Sequence, residues 1–151
     1  MIKILFVCHG NICRSAAAEV VLGQWIREAG LERELWVDSA AATREEIGSD
    51  IYPPMKRVLD ARGYACARHA ARQTVRADYE KYDYIIGMDG ENMADMRYIY
   101  GGDPAGKLSR LLDWAGRSGE SVGDPWYTRD FEGALDDIEQ GCRGLLQALR
   151  S

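Results

Sequence analysis

The sequence predicts an α/β fold, a three-layer doubly wound domain around a central four-stranded parallel sheet. Short apolar runs alternate with longer segments of helical periodicity. The first run is apolar at almost every position, as in a parallel strand covered on both faces. No repeat or linker interrupts the chain, and 151 residues suffice for one domain, which we expect over residues 1–151.

The first half of the chain alternates strand and helix. The apolar run over residues 3–7 predicts a strand, and the alanine-rich segment after it has helical spacing and ends at Gly30. A second strand is predicted over residues 35–37, followed by an aperiodic loop over 40–52. Two prolines then begin a helix, since proline is tolerated in a first turn, and Gly63 ends it.

The second half repeats the alternation. A basic segment leads to a third strand over residues 84–88, and a helix is predicted over 91–100. Residues 107–112 fit either a fourth strand or a helix, and residues 116–127 predict a glycine-rich loop. The last helix has the clearest periodicity. Its apolar positions are Phe131, Leu135, Ile138, Cys142, Leu145 and Leu149.

The composition narrows the functional classes. A net charge of −5 argues against a nucleic-acid-binding protein, which usually carries a basic face. The opening apolar run is too short for a signal peptide, and no window approaches the roughly 18 apolar residues of a membrane span. We therefore expect a cytoplasmic protein with no nucleic-acid partner and no membrane contact.

The cysteines are expected to be free thiols rather than a disulfide framework; they are Cys8, Cys13, Cys66 and Cys142. Cys8, Cys13 and Cys66, together with His69, could supply three thiolates and an imidazole to zinc. A Cys-x4-Cys spacing at a strand-to-helix junction is a poor zinc knuckle, however. We expect neither a metal nor a cofactor.

One stretch between the first strand and the first helix carries the candidate chemistry, and it reads Val7-Cys8-His9-Gly10-Asn11-Ile12-Cys13-Arg14-Ser15. The amides of such a turn and a helix N-terminus favour a bound anion, so we predict a phosphate loop here. Cys8 is the candidate nucleophile, because a helix N-terminus and a nearby arginine favour a thiolate. Arg14 would bind two phosphate oxygens through its planar fork, and the amides of residues 9–14 would bind the others.

Asp124 is the candidate general acid, because it lies in the glycine-rich loop before a proline that stiffens the backbone. Taken alone, an Asp-Pro pair is more often a turn. Trp126 and Tyr127 suit stacking against an aromatic substrate, and packing of the loop explains them equally well.

Together these motifs resemble the low-molecular-weight protein tyrosine phosphatase family. The resemblance rests on the stretch from Val7 to Ser15 and on Asp124-Pro125-Trp126-Tyr127, and it covers almost the whole chain. It implies hydrolysis of phosphotyrosine and aryl phosphates through a phosphocysteine intermediate, with inorganic phosphate as a product. The partner would be a phosphotyrosine-containing protein, with a tyrosine kinase as one candidate.

The resemblance also implies residue roles. Cys8 would be the nucleophile, Arg14 the phosphate-binding residue and Asp124 the general acid and base. Ser15 would assist the departing thiolate, and Cys13 would form a reversible disulfide with Cys8 under oxidation. The remaining substrate-binding residues would be His9, Gly10, Asn11, Ile12, Cys13, Trp126 and Tyr127. Ser39 and His69 would support Asn11 from behind the loop.

Three alternatives share this fold or loop. An arsenate reductase needs two further cysteines near residues 82–89, and none lies there. A protein arginine phosphatase carries threonine in place of Ile12 and lacks the aromatic pair. A non-catalytic phosphate-binding module would be expected to have lost a catalytic residue. One departure from the family concerns Glu45, which stands where an aromatic is usual and is expected to repel acidic peptides.

Overall fold

The computed structural model describes residues 1–150. Its four strands all run parallel in one sheet, as predicted. They are β1 (Ile2–Cys8), β2 (Leu35–Ala41), β3 (Tyr84–Gly87) and β4 (Leu108–Arg110). Their order across the sheet is β2-β1-β3-β4, so β1 is central and is covered by neighbours on both sides.

Helices cover both faces of the sheet. They are α1 (Arg14–Glu28), α2 (Pro53–Ala61), α3 (Asp78–Lys81), α4 (Gly90–Tyr100), α5 (Pro125–Thr128) and α6 (Phe131–Arg150). A 3₁₀ helix over Leu111–Ala115 follows β4 directly. None of the helices within residues 1–150 combines the length and apolarity that crossing a membrane requires.

The alternation of side chains along β1 divides the core in two. Ile4 and Phe6 face the cluster formed with α1, α2 and α6, while Leu5 and Val7 face the cluster formed with α4 and the tyrosines around α3. All four side chains are fully buried. Successive residues of a strand point to opposite faces, so a strand covered on both sides must be apolar throughout. This explains the uninterrupted apolar run of the sequence.

The strand order places the predicted loop at a switch point of the sheet. From β1 the chain crosses by α1 to β2 on one side, and it later returns to β3 on the other side. Parallel sheets of this kind bind ligands beyond the carboxyl ends of the strands, where the order reverses. Cys8 is the last residue of β1 and therefore lies at that position.

Several local predictions differ from the structure. The first strand is one residue longer at each end than predicted. The second strand continues to Ala41, because it pairs with β1 up to Cys8. The third strand ends at Gly87 rather than Met88. Residues 107–112 divide between β4 and the 3₁₀ helix. The short helices α3 and α5 were not predicted, since four residues are too few to show a helical period.

Candidate active site

The loop after β1 presents open amides at the start of α1. The first helical residue is Arg14, and no side chain caps the helix N-terminus. Within the described chain, the backbone N–H groups of residues 10–14 donate to no other protein group. These amides and the positive end of the helix dipole make the loop an anion site.

Asn11 holds the loop in its curled shape. It is fully buried and adopts φ of 59°, a left-handed conformation that is uncommon outside glycine. Its amide Nδ2 donates to Ser15 Oγ and to Ser39 Oγ, both at 2.9 Å. Its Oδ1 accepts from the backbone N–H of Arg72 at 3.2 Å, and its carbonyl oxygen lies 2.6 Å from His69 Nε2. The loop is thus fixed by the start of α1 and by two distant segments, β2 and residues 69–72.

Cys8 lies at the base of the loop next to Ser15. The Ser15 hydroxyl is 3.0 Å from Cys8 Sγ, and the Ser15 backbone N–H donates to the same sulfur at 3.4 Å. Ser15 Oγ already accepts from Asn11, and its own hydrogen has two possible acceptors, the Cys8 sulfur at 3.0 Å and the Ala40 carbonyl oxygen at a longer 3.5 Å. Two donors around one sulfur favour a negative charge on it.

The Arg14 side chain lies almost fully buried among three acidic groups. Its Nη1 donates to Asp89 Oδ2 at 2.8 Å and to the carbonyl oxygen of Val122 at 2.9 Å. Its Nη2 lies 3.5 Å from Asp124 Oδ2. Burial lowers the pKa of the Arg14 guanidinium, but the charges of Cys8, Asp89 and Asp124 outweigh burial and raise it. The guanidinium therefore stays charged, with one edge held by the protein.

Asp124 stands at the N-terminus of α5. Its Oδ1 accepts from the backbone N–H of Trp126 at 3.0 Å, which caps the short helix, and its side chain is about one-quarter exposed at 28%. The glycine-rich loop that precedes Asp124 is tied to the end of β3, because the Val122 N–H donates to the carbonyl oxygen of Met88, the residue after β3, at 2.9 Å. A carboxyl group that is partly open to solvent and held above the loop is suitably placed for proton transfer.

An aromatic wall rises beside Asp124. The rings of Trp126 and Tyr52 lie 5.8 Å apart, and those of Tyr52 and Phe131 lie 5.9 Å apart. Trp126 and Tyr127 nevertheless remain strongly exposed, so their rings are open to a ligand. The backbone N–H of Tyr52 also donates to the carbonyl oxygen of Ile12 at 2.7 Å, which joins the wall to the loop.

A cavity of about 340 Å³ brings most of the predicted residues together. The predicted residues that line it are Cys8, His9, Gly10, Ile12, Cys13, Arg14, Asp124, Trp126 and Tyr127. The side chains of Asn11, Ser15 and Ser39 are instead buried behind the loop. For Asn11 and Ser15, which were expected among the substrate-binding residues, the side chains face the protein interior and support the loop.

Sequence reasoning missed several lining residues, which are Glu46, Tyr52, Glu91 and Asn92. It also missed Asp89, the partner of Arg14, and the backbone contact from Arg72 to Asn11. The acidic turn at Asp89 was visible, because it directly follows a predicted strand. Nothing in a single sequence pairs that turn with Arg14.

Acidic side chains line part of the cavity. Glu45 Oε2 lies 2.8 Å from His9 Nε2, and Glu46 and Glu91 also line the cavity. The Thr43 hydroxyl donates to the carbonyl oxygen of His9 at 3.0 Å, which holds this segment to the loop. Glu45 thus lies at the rim, as the resemblance suggested, and it has a partner that the sequence did not reveal.

The four cysteines are free thiols in the structure. Burial raises the pKa of the Cys13 thiol, the neighbouring Cys8 raises it further, and together they outweigh the effect of Arg14. Cys13 is therefore a neutral thiol beside the candidate nucleophile. Over residues 1–150, no three His, Cys, Asp or Glu side chains come together as a metal-binding group.

Comparison with known proteins agrees with this geometry. The family model described as "Low molecular weight phosphotyrosine protein phosphatase" matches residues 3–151. The chain is 36% identical over 151 residues to the low molecular weight protein-tyrosine-phosphatase YfkJ of Bacillus subtilis, covering 99% of this chain and 97% of that protein. It is 35% identical over 141 residues to the low molecular weight phosphotyrosine protein phosphatase 1 of Drosophila melanogaster, covering 93% and 89%.

Solved structures give the same result. The crystal structure of YfkJ superposes with a TM-score of 0.95 at 36% identity, covering 99% of this chain and 95% of that one. The structure of DARP, a drosophila arginine phosphatase, superposes with a TM-score of 0.89 at 26% identity, covering 99% of each chain. The fold is therefore shared by proteins that are named as tyrosine phosphatases and by one that is named as an arginine phosphatase.

Proposed function

Because this chain belongs to the low molecular weight phosphotyrosine protein phosphatase family, we propose that Cys8, Arg14 and Asp124 divide the steps of phosphotyrosine hydrolysis among them. The protein is a protein-tyrosine phosphatase, a metal-independent hydrolase acting on phosphoproteins. One observation supports the division of roles. The Cys8 sulfur, the Arg14 guanidinium and the Asp124 carboxyl all line one cavity, whose floor is a loop of open amides.

In the first step the Cys8 thiolate attacks phosphorus. The amides of the loop and the free edge of Arg14 bind the phosphoryl oxygens, where charge is stabilised during transfer. The bond from phosphorus to the tyrosine oxygen breaks, and Asp124 gives its proton to the departing phenolate. The products of this step are the dephosphorylated tyrosine and a phosphocysteine.

In the second step water attacks the phosphocysteine. Asp124, now a carboxylate, accepts a proton from that water, and the phosphorus–sulfur bond breaks to release inorganic phosphate. The Cys8 thiolate leaves beside the Ser15 hydroxyl, which is 3.0 Å away and can donate to it. The enzyme returns to its starting state, so no oxidant or cofactor enters the balance.

The aromatic wall favours an aryl ester. The exposed face of Trp126 borders the cavity, and a phenyl ring whose phosphate sits in the loop would extend along it. Ile12 lines the same cavity, in place of the threonine expected of an arginine phosphatase. We propose that phosphotyrosine is preferred over phosphoarginine on these two grounds.

Three finer proposals accompany this division of roles. A single phosphatase domain over residues 1–151 agrees with the extent of the family match. A tyrosine kinase as one substrate rests on the family resemblance alone. A cytoplasmic location is supported by the chemistry, because a nucleophilic thiol must stay reduced, and reducing compartments keep cysteines in that state.

The test is turnover of p-nitrophenyl phosphate and of a phosphotyrosine peptide in the presence of EDTA. Cys8→Ser should abolish both activities, and Asp124→Ala should slow them by roughly 10²–10⁴. A phosphoarginine peptide measures the alternative specificity. Full activity of Cys8→Ser would refute the nucleophile, and faster release from phosphoarginine than from phosphotyrosine would refute the proposed preference.

A further inference from the structure

A second groove lies behind the aromatic wall. It has a volume of about 370 Å³ and is lined by residues of α2, by the segment after α5 and by the start of α6. Phe131 lines this groove, while Trp126 lines the active-site cavity, and the Tyr52 ring lies between those two rings. A peptide whose phosphotyrosine ring lies along Trp126 would therefore pass over this wall to reach the groove.

Two arginines in the groove lack acidic partners. Arg57 and Arg129 both line it and are exposed, and within residues 1–150 neither forms an ion pair with a carboxylate. Each of the two acidic side chains of the same groove has a partner of its own. Glu132 pairs at 3.0 Å with Arg62, which also pairs with Asp136 and Glu139, and Asp130 accepts from the backbone N–H of Gly133 at 2.8 Å. The groove thus offers a ligand two guanidinium groups that no carboxylate within residues 1–150 pairs with.

The backbone of Arg129 is in a conformation that glycine would adopt more readily. Its φ is 59°, and a non-glycine residue pays a steric cost there. The side chain lies over the Trp126 ring, with the guanidinium carbon 5.7 Å from the ring centroid, and Nη1 donates to Tyr52 OH at 3.4 Å. The guanidinium is therefore held against the wall, at the border between cavity and groove. Residues in sparsely populated conformations cluster at functional sites.

The cavity and the groove differ in their charged lining. The cavity is lined by Glu45, Glu46 and Glu91, whereas the groove is lined by Arg57 and Arg129 beside Asp130 and Glu132. The groove therefore offers guanidinium groups to an acidic residue of a substrate peptide, and the carboxylates of the cavity repel such a residue. Because the groove lies on one side of the aromatic wall, only the flank of the peptide that crosses this wall reaches it.

We propose that this groove binds an acidic side chain on one flank of the phosphotyrosine substrate, through Arg57 and Arg129. This inference rests on the proposed function and adds a substrate class to it, namely phosphotyrosine peptides with a carboxylate on one flank. Exposed Arg–carboxylate contacts are individually weak, so two of them should raise kcat/KM by about threefold to tenfold. The gain should shrink as ionic strength approaches ~1 M, because salt screens exposed charges.

The experiment compares three phosphotyrosine peptides, one neutral, one with glutamates before the tyrosine and one with glutamates after it. We expect one acidic peptide to exceed the neutral peptide by about threefold to tenfold in kcat/KM, and the other to show no gain. Arg57→Gln should reduce that ratio, and adding Arg129→Gly should bring it close to one. Arg33→Gln is the matched control and should leave the ratio unchanged, because Arg33 is exposed near the start of β2, at the opposite end of the strands.

Arg129→Gly separates the side chain from the fold, since glycine suits the positive φ at this position. Its melting temperature should therefore stay close to that of the wild type while the peptide ratio falls. An equal rate for all three peptides, or an advantage that survives in the double variant, overturns the groove proposal. Turnover of the neutral peptide reports the proposed function separately, and the ratio among peptides is judged independently of it.

Discussion

Replacing Asn11 tests whether the phosphate loop depends on a single buried side chain. Asn11→Ala removes the two hydrogen bonds to Ser15 and Ser39 and leaves the backbone N–H of Arg72 without its acceptor. Each lost hydrogen bond costs about 1 kcal/mol, and an unpaired buried donor costs about 1–3 kcal/mol. Alanine at a φ of 59° adds about 1 kcal/mol of steric cost. We therefore expect a loss of about 4–6 kcal/mol in the free energy of unfolding.

Asn11→Gly separates the two contributions. Glycine adopts the left-handed conformation without steric cost, so this variant should be about 1 kcal/mol more stable than Asn11→Ala. Both variants lose the same three hydrogen bonds, so both should lose roughly 10² in kcat/KM for p-nitrophenyl phosphate, because the loop is no longer held in position. Urea unfolding and steady-state kinetics measure the two effects.

Leu145→Ala is the control for stability alone. Leu145 is fully buried on α6, and its truncation should cost about 2–5 kcal/mol without contact to the loop. This variant should keep wild-type kcat/KM at temperatures where it is folded. If Asn11→Gly kept wild-type kcat/KM and lost less than about 1 kcal/mol, the hydrogen bonds of Asn11 would not be what holds the loop.

Three further predictions concern stability. Gly144→Ala should destabilise the fold by about 1–3 kcal/mol in thermal unfolding, because the added carbon would lie 1.9 Å from the Trp114 carbonyl oxygen. Gly23→Ala should stabilise the fold by about 0.5–1 kcal/mol, because the atom nearest to the added carbon would be 3.5 Å away and alanine is the better helix former. A Gly144→Ala variant more stable than Gly23→Ala would refute the packing argument. Burial raises the pKa of Asp78, but hydrogen bonds from Thr74, the Val75 N–H and Arg72 outweigh burial and lower this pKa below its ordinary 3.8. The ionised Asp78 therefore stabilises the folded state above pH 3.8, and this stabilisation is lost as the pH falls through the lowered pKa of the folded state. Urea unfolding at a series of acid pH values should show a shallower decline for Asp78→Asn than for the wild type, and equal slopes would contradict this assignment.

The sequence was most informative where the chemistry is local. The strand, the loop and the first helix are consecutive, so the residues from Cys8 to Arg14 could be assigned to a phosphate site from their order alone. The parallel sheet followed from the apolar runs and the intervening helices, and the structure confirms it. Asp124 needed the family resemblance, because an Asp-Pro pair by itself indicates only a turn.

The contacts that were missed depend on strand order. Asp89 meets Arg14 because β3 lies next to β1, although the two residues are 75 positions apart in the chain. The contact from Arg72 to Asn11 is made by a backbone N–H, which any residue other than proline supplies, so no side-chain pattern could reveal it. Tyr52 belongs to a segment without a period, and its place in the aromatic wall depends on a backbone hydrogen bond to Ile12 and on ring contacts with Trp126 and Phe131.

Two non-glycine residues in the described chain have a positive φ, and they lie on different parts of the same site. Asn11 is buried under the loop and uses its side chain to fix the floor of the cavity. Arg129 is exposed and uses its side chain to hold Trp126 and Tyr52 in the wall. Glycine at either position keeps the backbone conformation and deletes only these contacts. The two glycine variants should therefore differ in kind, because loss of the floor lowers the rate for every substrate by a similar factor, whereas loss of the Arg129 side chain lowers it most for peptides with an acidic flank.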